Sequence, residues 1–531
     1  MSDAPRPRRI SGAVAVGAGI LLSRIAGLVR DRVIGYYLGL SGAVGAFRAA
    51  LRIPNMLQTL FGEGVLSASF IPVYARLRAE GREDDARRVA RAVGTLLALV
   101  ASLLALLGVV FSRQLVDLLA PGFRPEWREL TIQLVRVLFP GVALLVMSAW
   151  CLGVLNSHRK FFLSYVSPVL WNAALITTAI VVGELGLGDN EIARWLAWGA
   201  VIGSAAQFLV QLPTVIALLR GFRPSLAVRD PGVQTTLRAF VPILLGRGSV
   251  QLSGFIDQVI ASYLGVSIVA AMANAQTLYM LPISLFGMAV SAAELPEMSS
   301  ATGAEAERAE RLQARLAGAL RRVVFLVVPS AVALVAIGGP IVALLFQTGK
   351  FTHDDTLVVW IILAGAAIGL SAGTQSRLLG SAFYALGDPK RPLYAALVRV
   401  AITGTTGYLF ALPVRAWLGY GPEWGAFGLT ASAGFAAWIE FLLLRRWLDQ
   451  RIGRVPIPGK LGLGALGVAA IAGAAGYGAA RGVHALTAHT VPVSVAAIVA
   501  FGAVYLGIMT MAKVPEAADL VGKVARRVRR R

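Results

Sequence analysis

The sequence predicts an all-α polytopic membrane protein of about fourteen transmembrane helices, built as two parallel six-helix repeats, or lobes, plus two C-terminal helices. Three observations carry that prediction. Hydrophobic residues make up 57% of the 531-residue chain against 15% charged, with mean hydropathy +0.71. Mostly apolar windows of roughly 20 residues, the length a helix needs to cross a bilayer, recur from end to end. The second half of the chain also repeats the first in register over several segments.

The first helix is expected to start near Ile10. Arg6, Arg8 and Arg9 followed by ISGAVAVGAGILL look like a signal peptide, but no small-residue cleavage site follows, so the helix is expected to stay. Helices starting near Gly45, Val89, Leu130, Phe161 and Ala193 complete a first lobe over residues 1–220. Starts near Thr236, Val266, Ala317, Thr356, Leu393 and Gly425 define a second lobe over 221–448. Starts near Leu461 and Val491 give a final pair that, with a basic tail, fills 449–531. Lys and Arg concentrate in alternate loops, among them RLRAEGREDDARR, RGFRPSLAVRD and LGDPKRP, on the side of both termini, which makes that side cytoplasmic.

The net charge of +22 would suggest nucleic acid in a soluble protein. Here it is spread over loops with no nucleic-acid motif, so the expected contacts of the basic tail are anionic membrane lipids and no nucleic acid. Cys151 is the single cysteine and lies in an apolar run, so it forms no internal disulfide and suggests no metal.

RDRVIGYYLG (Arg30 to Gly39) aligns with IDQVIASYLG (Ile256 to Gly265), placing Asp31 on Asp257 and Gly39 on Gly265. LFGEGVLSASFIP echoes LFGMAVSAAELP further on. Each copy has an even number of spans, so both run in the same direction, an arrangement typical of transporters with a central cavity.

The segment SRIAGLVRDRVIGYYLG, Ser23 to Gly39, carries Arg24, Arg30, Asp31 and Arg32 in an otherwise apolar stretch. A charge at the bilayer centre costs about 2.5 to 3.5 kcal/mol on insertion scales. Arg24, Arg30 and Asp31, with Arg48 and Arg52 in the second helix, are therefore expected to face a cavity rather than lipid. Helical spacing puts Arg24 with Asp31 and Arg48 with Arg52, while Arg30 lies about 100° round from Asp31. Asp31 could simply neutralise one arginine while the others reach phosphate head groups. Because Arg outnumbers acid here and guanidinium forks match phosphate and carboxylate oxygens, an anion site for a bulky head group is the favoured reading.

These residues also carry a resemblance. SRIAGLVRDRVIGYYLG, RIPNMLQTLFGEGVLSASFIPVYA, LNSHRKFF with SPVLWN, and LFQTGKFTHDD resemble the MurJ (MviN) family, the lipid II flippases of bacterial cell-wall synthesis, within the multidrug/oligosaccharidyl-lipid/polysaccharide exporter superfamily. The resemblance implies a cationic cavity between two lobes, alternating access, and a groove at helices 13 and 14 for a polyprenyl tail. It also implies lipid II, an undecaprenyl-pyrophosphate-linked precursor, as substrate, and a place in the bacterial cytoplasmic membrane. Ser23, Arg24, Arg30 and Arg52 match the family's functional positions, and Asp31 and Arg48 join them as expected substrate-binding residues. No cofactor is implied, and a monomer is expected.

Some positions depart from the family pattern. Gly45 falls where an acid is usual, Arg48 where an aromatic is usual, and Gln276, Thr277 and Met280 replace an Asp-Arg pair and a following Glu. Some members resemble sodium-binding transporters through an Asp in helix 7 and polar residues in helix 11. Asp257 is kept here, but the helix 11 positions read Thr403 and Gly407, and Arg399 has appeared. A monovalent cation is thus one candidate partner. The other is a bridge from Arg399 to Asp257 in its place, with Glu440 as a competing acid. A gate is expected at the cytoplasmic ends of helices 2 and 8, where Glu63 to Arg76 and Glu294 to Glu297 occupy matched positions.

Three further motifs read as structural. GLGALG (Gly462 to Gly467) lies in an apolar helix with no preceding strand and reads as small-residue packing. HDD (His353 to Asp355) follows GKFT at a helix start, where Thr352 or an Asp caps backbone amides. EAERAERLQARLAGALRR is expected to lie on the membrane surface, or as a solvated connector, before helix 9. Exporters of another polyprenyl-linked oligosaccharide, or of small molecules by ion coupling through Asp257, Glu294 and Glu440, remain alternatives. An enzyme would need a convergent acid/base or metal cluster that the sequence does not contain.

Overall fold

A computed structural model describes residues 12–61, 63–221, 223–287, 305–487 and 489–528, and every regular element among them is helical. Among the described residues, eleven helices, or twelve spans with one bent pair, are long and apolar enough to cross a bilayer. Two more, Gly12–Leu38 and Pro231–Leu264, have 27 and 34 residues, enough length to cross, although the first carries the charged cluster. The chain divides into two compact units, Met1–Phe255 and Ile256–Arg531.

The first unit contains α1 (Gly12–Leu38), α2 (Gly42–Phe61) with its continuation α3 (Glu63–Ala79), α4 (Glu83–Val110) and the short α5 (Ser112–Leu119). It continues with α6 (Pro125–Ser157), α7 (Phe161–Glu184) and α8 (Asp189–Leu218), and α9 (Pro231–Leu264) begins in it. The most apolar stretch of α6 is 72% buried, against 28% for α7 and α8, so α6 is the axis round which the others pack. Helices in lipid associate by close packing and interhelical hydrogen bonds rather than by hydrophobic burial. Accordingly, Trp150 of α6 donates its indole N–H to the Ala90 carbonyl at 3.1 Å. Ser148 accepts from Gln207 at 3.0 Å and Gln211 at 2.6 Å, tying α6 to α8. Cys151 is buried and free.

In the second unit α10 (Val266–Pro282) runs into a π-helical turn, Ile283–Gly287. Then come α11 (Glu305–Ala336), α12 (Gly338–Phe346), α13 (His353–Ala367), α14 (Leu370–Ala385) and α15 (Lys390–Leu409). The chain ends with α16 (Pro422–Ile452), α17 (Gly459–Leu486), α18 (Thr490–Met511) and α19 (Pro515–Val528). The repeat is visible in backbone geometry. Gly39 after α1 has φ 55° and Gly265 after α9 has φ 125°, both in the aligned YLG tripeptide and both in the positive-φ region that favours glycine.

α13 and α14 form the bent span, with an angle of 46° between them. The carbonyl of Ile368, at the break, accepts the Trp438 indole N–H at 3.0 Å, which satisfies a backbone group that lipid could not. The start of α13 has the expected cap: Thr352 Oγ1 accepts from the Asp355 amide at 3.2 Å and the Asp355 carboxylate accepts from the Thr352 amide at 2.9 Å.

The segment expected on the membrane surface is instead the start of α11, continuous with the span. Leu312, Leu316, Ala319 and Leu320 are buried with Phe383, Leu448 and Ile452, so the amphipathic face is taken up by protein. α17 and α18 pack on α11 as well, where Phe325 meets Ala469, Ala472 and Phe501, and Tyr505 donates to the Phe325 carbonyl at 2.8 Å. GLGALG lies within α17, but it is not a close-packed face as expected: a Cβ at Gly462 would make only ordinary contact with Val324, at 3.6 Å, and one at Gly464 or Gly467 would meet nothing within 4 Å.

Candidate functional site

Asp31 lies seven residues before the end of α1 and Arg48 six residues after the start of α2. The two helices run antiparallel through a short turn, so the residues sit at one level. Arg48 Nη2 donates to Asp31 Oδ1 at 2.8 Å. The same oxygen accepts Arg30 Nε at 2.9 Å and Arg30 Nη2 at 2.7 Å. The Asp31 side chain is 0% exposed, whereas Arg30 and Arg48 keep 16% and 12%. Two guanidinium groups share one carboxylate, and the trio keeps one net positive charge.

Arg30 is fixed on its other sides too. Its Nη1 donates to Asn172 Oδ1 at 3.0 Å, and its guanidinium lies 5.2 Å from the centre of the Trp171 ring. The Asn172 amide is oriented by its own bond to the Pro168 carbonyl at 3.1 Å. Sequence reasoning missed both partners. An Asn within an apolar span was the available signal, since a polar group there must find a partner. Arg48 Nε is buried and makes no hydrogen bond among the described residues. The site thus holds a fork with unused donor capacity.

The other expected residues are not drawn into this trio. Ser23 is half-buried, and Arg24 is exposed on the first unit and makes no ion pair among the described residues. Arg52, one turn beyond Arg48, is exposed and packs its guanidinium against Gly254 of α9, where any Cβ would collide with Arg52 Nη2. Glu63 opens α3. Glu294 and Glu297 lie outside the described residues.

In the second unit Arg399 of α15 donates Nη1 to Glu440 of α16 at 3.1 Å. The expected bridge to Asp257 is not formed: among the described residues no ion pair within 4.0 Å joins them. The competing acid has the guanidinium because α15 packs along α16. Around the candidate position for a monovalent cation, Asp257 supplies a carboxylate and Thr403 a buried hydroxyl, Gly407 has no side-chain oxygen, and Arg399 stands one turn from Thr403.

A family model described as lipid II flippase MurJ matches residues 34–503. The lipid II flippase MurJ of Burkholderia cenocepacia is 33% identical over 84% of this chain and 85% of its own length. The probable lipid II flippase MurJ of Vibrio cholerae is 30% identical over 83% of each. Among solved structures, one described as lipid II flippase MurJ in an inward closed conformation superposes with a TM-score of 0.77 at 22% identity, covering 95% of this chain and 99% of that one. An inward-facing multidrug resistance MATE family transporter of the MOP superfamily superposes at 0.63 and 19% identity, covering 83% of this chain and 98% of that one.

Proposed function

The chain belongs to the lipid II flippase MurJ family, and from that premise we propose how its charged helix pair serves transport. The protein is a flippase of lipid II, the lipid-linked precursor of peptidoglycan, in the bacterial inner membrane. In our reading the pyrophosphate of lipid II docks on Arg30 and Arg48, with Ser23, Arg24 and Arg52 completing the contact. Both termini lie in the cytoplasm, where the basic loops gather.

The sharing of Asp31 Oδ1 by Arg30 and Arg48 carries this reading. Asp31 lowers the cost of keeping two arginines within the membrane but neutralises only one of them. The remaining charge, on forks already oriented by Asn172 and Trp171, is matched by an anion that needs no rearrangement of Arg30. Unneutralised guanidinium groups repel by about 1 to 4 kcal/mol per close pair at intermediate dielectric, which favours an open, hydrated site. An anionic head group removes that repulsion, and its differential affinity then drives alternating access. The lipid crosses with no bond made or broken.

Complementation of a flippase-depleted bacterium tests the assignment. Arg24→Ala and Arg52→Ala, both at exposed positions, are expected to abolish growth at normal protein levels. Full complementation by both variants would remove Arg24 and Arg52 from the anion site, and full complementation by Arg48→Ala would remove the site itself from the mechanism.

A further inference from the structure

A second cluster of arginines lies apart from α1. The start of α4 and the segment joining α8 to α9 enclose a hollow of about 490 Å³, lined by Arg87, Arg88, Arg91, Arg220 and Arg223 with Asp84 as the one acid. Three of these arginines are committed. Arg87 pairs with Asp84 at 2.5 Å, and Arg88 reaches Asp85 at 3.4 Å and Asp230 at 3.7 Å. Arg91 Nη2 donates to the carbonyls of Leu219 at 2.7 Å and Arg220 at 3.3 Å. Together with the bond from the Ser225 amide to Thr95 Oγ1 at 3.1 Å, this clamps the joining segment onto α4. Arg220, held at φ 52°, and Arg223 form no ion pair among the described residues.

We propose that this hollow is a binding site for the head group of an anionic glycerophospholipid, held by Arg220 and Arg223. Five guanidinium groups against one carboxylate make an anion the complementary ligand. Position selects a lipid over a soluble phosphate. The apolar run of α4 begins at Ala92, directly after Arg91, so the hollow sits where the helix enters the membrane. In the same joining segment Leu226 is 63% exposed and Val228 45%, apolar side chains suited to the ester and acyl region beside a bound phosphate. This segment leads into α9, the helix that begins in one unit and ends in the other, and a bound lipid would add a further tether to it.

Native mass spectrometry of the full-length protein, titrated with phosphatidylglycerol, cardiolipin or phosphatidylcholine, tests the proposal. The unsubstituted protein is expected to hold an anionic lipid in preference to phosphatidylcholine. Arg220→Ala/Arg223→Ala should weaken that binding by about tenfold or more, and Arg223→Gln alone by less. Arg445→Ala/Arg446→Ala, which removes equal charge from another unit, should leave it unchanged. Unchanged retention in the Arg220/Arg223 variant, or equal loss in the Arg445/Arg446 variant, would overturn the site. Displacement of the lipid by millimolar inorganic phosphate would overturn it in favour of a soluble phosphate.

Discussion

Arg48 donates Nη2 to Asp31 Oδ1 at 2.8 Å, although that oxygen already holds Arg30 from its own helix. The asymmetry orders the effects of substitution. Replacing Asp31 by Ala leaves two part-buried cations without their shared carboxylate, and breaking a buried pair costs up to about 3 to 5 kcal/mol. Replacing Arg48 by Ala leaves a complete Arg30–Asp31 pair and removes one charged hydrogen bond, about 1.5 to 3 kcal/mol. Thermal unfolding in detergent should therefore rank Asp31→Ala below Arg48→Ala. The reverse order would mean that Asp31 is not the anchor of the trio.

The Arg30 contact set predicts a failure of conservative replacement. Arg30 uses Nε, Nη1 and Nη2 on two acceptors and lays its plane over Trp171. A lysine ammonium offers no planar fork, so Arg30→Lys is expected to lose about 1 to 3 kcal/mol of stability and most transport. At exposed Arg24, which meets no such set, Arg24→Lys should leave the melting temperature unchanged. Paired melting curves of the two variants check this.

The charge load of α1 and the YLG repeat were legible because each is a local property of the chain. What the sequence did not reveal is how each helix is rotated. Asn172 lies 142 positions from Arg30, and only the packing of α1 on α7 makes them partners. Alignment of Asp257 with Asp31 suggested a matching arginine contact in the second repeat. Arg399 went to Glu440 instead, because side-chain reach is set by the neighbouring helix and not by the internal repeat. The face of Leu312, Leu316 and Leu320 was legible as amphipathic, but its covering by α14 and α16 required tertiary structure.

The Arg399–Glu440 pair makes a prediction of its own. Arg399→Leu alone leaves the Glu440 carboxylate, which is 13% exposed, without its cation, whereas Arg399→Leu/Glu440→Leu removes both charges. The double variant should be the more stable, with a coupling of about 0.5 to 3 kcal/mol in a thermodynamic cycle. Additive losses would mean the two side chains do not interact in solution.

Outside the spans, Glu516 of α19 accepts Arg321 Nε at 2.8 Å, and that hydrogen bond holds its carboxyl below the ordinary value of 4.5. A depressed acid contributes stability above its unfolded value and loses it as pH falls through the folded one. Docking of α19 should therefore weaken only below about pH 4.5, by at most about 1 kcal/mol for a pair with one partner well exposed. Hydrogen exchange of α19 amides compared between about pH 5 and about pH 3 should show this, and Glu516→Gln should abolish the pH dependence.

The most selective test falls on a glycine. Gly254 of α9 lies so close to Arg52 that a Cβ would collide with Arg52 Nη2, the far end of a flexible side chain. Gly254→Ala would therefore displace the guanidinium rather than break the helix. Alanine favours helix by about 1 kcal/mol over glycine, so the fold should be as stable as before or slightly more so. If Arg52 must stand where it does to meet the pyrophosphate, transport falls although no charge has been removed. The expected result is a Gly254→Ala protein with an unchanged or higher melting temperature and lipid II flipping in proteoliposomes reduced about tenfold, comparable to Arg52→Ala. Flipping at the unsubstituted rate in Gly254→Ala, with Arg52→Ala inactive, would show that the charge of Arg52 matters and its position against α9 does not.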